Sequence, residues 1–107
     1  MPNDKKPKYD LEPRTYDFAL ECRRFCKTKK TSSDYEDVRQ PIRSSGSVAA
    51  NYIEANEALS KKDFYHRIKI CRKEAKESIL WLRLLESPAE LINEATELMK
   101  IFGAIIE

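Results

Sequence analysis

The stretch over residues 61–85 constrains this chain more than any other, because a helix drawn through it has three faces of three chemistries. At 100° per residue, Phe64, Ile68, Cys71, Ala75, Ser78, Leu82 and Leu85 fall on one stripe, spaced alternately by four and three. Lys61, Lys62, Lys69, Arg72, Lys73, Lys76 and Arg83 gather on a second stripe. Ile70, Glu74, Glu77, Trp81 and Leu84 make a third. A helix in a small monomer needs one buried face. This one offers a core seam, a cationic ridge and a half-apolar strip that calls for a partner.

A chain of 107 residues has room for one core and one domain. It holds only two glycines, Gly46 and Gly103, and lacks the alternation of a half-buried strand, so the expected class is all-α. Pro2, Pro7 and Pro13 break any regular start. Residues 1–12 therefore read as a flexible lead-in and residues 13–107 as the bundle domain.

The first helix is expected over about 14–27, with Tyr16, Ala19, Leu20, Arg23 and Cys26 inward and Phe18, Cys22 and Phe25 alongside. Residues 27–33 read as a polar, basic loop. Ser33 and Glu36 have capping-box spacing and open a second helix that runs to about residue 58. Its seam is Val38, Ile42, Ser45, Ala49, Tyr52, Ile53 and Asn56. Pro41 lies inside that run without a backbone donor, which implies a kink or first-turn irregularity, or else a start at Gln40. Ser60 with Asp63 opens the third helix. Ser87 as cap, Pro88 at the first helical position and Glu90 behind it open the fourth. That helix buries Leu91, Ile92, Ala95, Leu98, Met99, Phe102 and Ile105 or Ile106. Connections this short make successive helices antiparallel neighbours, giving an up-down-up-down four-helix bundle.

The net charge of +2 conceals a strong alternation along the chain. Residues 1–30, 31–60, 61–83 and 84–107 carry +4, −3, +5 and −4. Such blocks either pair neighbouring helices or converge into an anion-binding patch. Lys61, Lys62, Lys69, Arg72, Lys73 and Lys76 are the candidates for the patch, since their spacing brings them to one side of one helix. Nucleic-acid phosphates would meet such a ridge without base readout. A solvated lysine face that maintains solubility is the bland alternative.

The second helix carries a row of small side chains, Ser44, Ser47, Val48, Asn51, Ala55 and Ala58. Small residues let a helix approach closely, whether from the same bundle or from another subunit. Burying a side chain of the leucine class stabilises by about 1.5–3 kcal/mol, so an exposed strip around Trp81 asks to be covered. A homo-oligomer is expected, with Arg43, Ser47, Asn51, Ile70, Glu77, Trp81 and Leu84 at its interface.

Signals for catalysis are weak. Cys22, Cys26 and Cys71 form no disulfide framework, and with the lone His66 they give no metal set of convincing spacing. No glycine-rich phosphate loop is present. The reading is a non-enzyme without metal or cofactor. Reduced thiols, the polar start and the lack of a membrane-length apolar run point to the cytoplasm.

The run over residues 37–58, with Arg39-Gln40-Pro41-Ile42-Arg43-Ser44-Ser45-Gly46-Ser47-Val48-Ala49-Ala50-Asn51-Tyr52-Ile53-Glu54-Ala55, closely resembles the signature of bacterial four-helix-bundle proteins related to the 23S rRNA intervening-sequence protein. Ser60-Lys61-Lys62-Asp63-Phe64, the run over residues 69–78 and Trp81-Leu82 match its second block. The likeness spans about residues 11–106. Pro41 departs from it, standing where an aliphatic residue is expected. The resemblance implies an antiparallel bundle assembled as a ring-like homopentamer. It also implies distant kinship with the accessory variability determinant of diversity-generating retroelements, a basic pentameric barrel that binds nucleic acid and its reverse transcriptase. The ribosomal label of the family reflects genes lying inside rRNA insertions. The expected function is thus an oligomeric protein that binds an RNA or DNA backbone. The alternative is a protein-interaction scaffold that recruits an enzyme such as a polymerase.

Overall fold

A computed structural model describes residues 11–29 and 35–107. The lead-in before Leu11 and the Ser33 half of the expected capping box lie outside the described residues. Four helices follow in order: α1 (Leu11–Cys26), α2 (Tyr35–Asn56), α3 (Lys61–Leu84) and α4 (Ala89–Ile106). There is no strand among the described residues, and the helix packing is consistent with a bundle.

Helix α1 opens three residues ahead of expectation, because Leu11 is buried and pulls the first turn into the core. Its inner face is also rotated. Leu11, Thr15, Phe18, Ala19, Cys22 and Cys26 are buried, whereas Tyr16 and Arg23 face solvent. Thr15 turns inward without penalty because its hydroxyl donates to the Leu11 carbonyl at 2.7 Å.

Helix α2 runs through Pro41, which is buried, so the start at Gln40 is not the one adopted. Its buried face is Pro41, Ser44, Ser45, Val48 and Ala55. Of the expected seam, Ser45 is buried, Ile53 is half exposed and Asn56 is at the surface. The row of small residues has taken the inner position. That row lets α3 come close: the Ser44 and Ser78 hydroxyls meet at 2.7 Å, and Ser78 donates to the Glu74 carbonyl at 2.9 Å. Cys71 Sγ donates to the Val48 carbonyl at 3.6 Å. The α2 helix ends at Asn56, two residues early, with Glu57 and Ala58 closing onto Glu54 and Ala55 in three-residue steps.

The α3 seam is the expected one. Ile68, Cys71, Ala75, Ser78, Leu82 and Leu85 are buried, with Phe64 packed partly against them. Ser60 caps its start, accepting from the Asp63 amide at 3.0 Å. Its far end closes with Ser87 N–H to the Leu82 carbonyl and Glu86 N–H to the Arg83 carbonyl. Glu86 takes the left-handed conformation, φ 56°, that this closure demands. The Ser87 hydroxyl donates to the Pro88 carbonyl at 3.0 Å, Pro88 occupies the cap position of α4, and no side chain caps it. Helix α4 buries Ala95, Leu98 and Phe102, with Leu91, Ile92, Met99, Ile101, Ile105 and Ile106 partly covered.

Candidate functional site

Four of the six candidate cations line one cleft. Lys69, Arg72, Lys73 and Lys76 of α3 stand around Met99 of α4. All four are exposed, and among the described residues no carboxylate lines the cleft. The sequence builds this locally: 69, 73 and 76 step by four and three along α3, and Arg72 adds a cation one residue round. Gly103 of α4 lies beside this arm, where a Cβ would meet Arg72 Cδ at 3.8 Å, an ordinary van der Waals contact. Glu74 competes for one of the four cations, its Oε2 lying 3.8 Å from Lys73 Nζ. Lys61 and Lys62 are exposed at the start of α3, about 10 Å of helix rise from Lys69, and do not line the cleft.

Of the expected interface residues, Arg43, Ser47, Asn51, Glu77 and Trp81 hydrogen-bond within the chain itself. Arg43 Nη2 contacts Glu77 Oε2 at 2.6 Å and stands 3.3 Å from Glu74 Oε1, an ionic contact outside hydrogen-bond geometry. Trp81 Nε1 donates to the same Glu77 oxygen at 3.2 Å. Burial alone would raise the Glu77 carboxyl, but the hydrogen bonds from Trp81 and Arg43 outweigh it and hold it below the usual 4.5. About two turns further along α2, Asn51 donates to Ser47 and accepts from Arg67 Nη1 at 3.0 Å. Ile70 and Trp81 are half-buried, whereas Leu84 is 62% exposed.

The cysteines fill the core. Burial pushes the Cys22 and Cys71 thiols up to about 12 and the Cys26 thiol to about 11, so all three are neutral and poor nucleophiles at neutral pH. Among the described residues no group of three or more His, Cys, Asp or Glu could hold a metal ion, and no helix is long and apolar enough to cross a membrane.

One feature escaped sequence reasoning. Arg14 of α1 reaches Glu94 with two hydrogen bonds, at 2.7 and 2.9 Å, and Glu97 with a third at 2.7 Å. Burial opposes the charge on Arg14, but the two carboxylates prevail and raise its pKa above the ordinary arginine value. Beyond this clamp a groove runs between α1 and α4, floored by Phe18, Phe25 and Leu91. The stripe Glu90, Glu94 and Glu97 on α4 was the available signal. Its partner lies some 80 residues away in sequence and shares no local pattern with it.

Comparison with known proteins adds two findings. Residues 8–104 match the family model described as 23S rRNA-intervening sequence protein. A solved structure from Bacteroides thetaiotaomicron, described as a protein of unknown function from the S23 ribosomal protein family, superposes with a TM-score of 0.79. The two chains are 29% identical, over 91% of this chain and 98% of that one. No curated protein matches.

Proposed function

This chain belongs to the 23S rRNA-intervening sequence protein family, and from that premise we propose that it is a non-enzymatic, cytoplasmic protein that binds nucleic-acid backbone through the α3 cleft. The observation that carries the reading is the convergence of Lys69, Arg72, Lys73 and Lys76 on one carboxylate-free cleft beside Met99. Four exposed cations with no acid lining among them attract phosphate and release its counterions on contact. Lys61 and Lys62 extend the track toward the start of α3.

The four helices run up-down-up-down and antiparallel in this reading. Support comes from the order of contacts: Arg43, Ser44, Val48 and Asn51 along α2 meet Glu77, Ser78, Cys71 and Arg67 on α3. Subunits assemble as a homo-oligomer, a pentamer on the family resemblance, with Ile70, Trp81 and Leu84 supplying apolar contact beside the Arg43–Glu77 network. A ring would repeat the cleft in every subunit and multiply weak phosphate contacts.

The test is a titration of rRNA fragments and duplex DNA at low and moderate salt. The reading expects association that weakens steeply with salt and ranks sequences weakly. Absence of measurable association at low salt would exclude it. Light scattering on the same sample tests the assembly, for which a monomer is the contrary result.

A further inference from the structure

We propose that the groove between α1 and α4 seats a cationic amphipathic helix supplied by a partner protein. The contact between α1 and α4 is much less extensive than those of α1 with α2, α2 with α3 and α3 with α4, and is held at one end by the Arg14 clamp. Below the clamp the helices part and leave a groove of about 960 Å³. Its floor is apolar and aromatic: Phe18 and Leu91 sit between the helices, Phe25 and Pro88 at the lower end. From Asp17 to its end at Cys26 the α1 wall is about 14 Å long, room for about two and a half turns of a docked helix.

The rim states the charge of the occupant. Asp17 and Glu21 rise from α1, and Glu86, Glu90 and Glu94 from α4 and its approach. Two of these are already engaged, Glu21 by Arg24 at 2.8 Å and Glu94 by Arg14. Asp17, Glu86 and Glu90 have no ion pair among the described residues. The remaining rim cation, Lys29, lies over the Phe25 ring at 5.6 Å. The whole chain is net +2, so a basic ligand is drawn here by the local field of the groove. An apolar floor between rows of acids fits a helix with one greasy edge flanked by lysine or arginine, the helix-in-groove mode of recognition. The same acids repel nucleic acid. The inference therefore stands apart from the phosphate-binding reading, which uses α3, and each can fail alone.

The probe is a fluorescein-labelled helical peptide of about 18 residues, made of leucine at i, i+3, i+4 and i+7 with lysine elsewhere. Its counterpart has glutamate in place of lysine. Anisotropy with the full chain is expected to show saturable binding of the lysine peptide, one per chain, and none of the glutamate peptide. Asp17→Lys with Glu90→Lys, both at exposed positions, should weaken binding by about tenfold or more while leaving helicity and Tm unchanged. Lys73→Glu on the opposite cleft should leave peptide binding as it was. Equal affinity for the doubly reversed chain, binding of the glutamate peptide, or no saturable binding would overturn the proposal. So would a change in oligomeric state on reversing Asp17 and Glu90, which would make a second copy the occupant.

Discussion

The α2–α3 contact and the α1–α4 contact are built on opposite plans. In the first, serine, alanine and valine let two helices close on each other, and every hydroxyl at the contact has a partner. The second keeps large rings and leucines apart behind a single arginine clamp, leaving a trough rimmed with acids. Small side chains convert surface into structure. Aromatic ones left ajar convert structure into a place for something else.

The sharpest way to break the comparison is Ser78→Leu. Overpacking costs about 1–3 kcal/mol, and stranding the buried Ser44 hydroxyl adds about 1–3 more, so urea denaturation should show a loss near 3–4 kcal/mol. A loss below about 1 kcal/mol would mean that α2 and α3 can separate at little cost. Next in size comes Arg43→Ala, which removes the cation beside the buried Glu74. Because Arg43 is itself half exposed, about 2–3 kcal/mol is expected, below the full figure for a buried pair. Arg14→Ala, its counterpart in the looser contact, should cost about 1 kcal/mol, since Glu97 already lies in solvent. If Arg14→Ala proved the costlier of the two, the contrast between closed and open contacts would be lost.

Acid offers a gentler probe. The Glu77 carboxyl is held below its usual value in the folded chain, so its contribution is present above the unfolded value of about 4.5 and fades as pH falls through the folded one. The fluorescence of Trp81, the sole tryptophan, should report that loss, because its Nε1 donates to Glu77. A Glu77→Gln chain should show a smaller emission change over the same range. Smallest of all is Glu86→Gly, which relieves a left-handed residue and should raise stability by about 0.5–1 kcal/mol in thermal melts.

Legibility in the sequence followed hydrophobic contrast. The α3 seam was plain because its apolar residues alternate by four and three against a charged background. On α2 the true inner row includes Ser44, Ser45 and Ala55, which carry little hydrophobic signal, and the larger Ile42, Tyr52 and Ile53 drew the seam a residue aside. Tyr16 did the same on α1, where Thr15 is the buried neighbour. Ser87 looked like a cap for α4, but its N–H closes α3 and its hydroxyl turns to the Pro88 carbonyl, a geometry visible only once both helix ends are placed. The lysine ridge was readable from one helix, whereas the place of Met99 in the cleft needed α4 laid beside it. The groove was illegible for the same reason, doubled: neither wall means anything without the other.

The most direct measurement is the salt slope of RNA affinity for the native chain and for Lys73→Glu with Lys76→Glu. If the α3 cleft holds phosphates, losing two contacts per chain should flatten the slope of log K against log salt by about 2 and weaken binding at every salt concentration. Identical slopes and affinities for the two proteins would contradict the account.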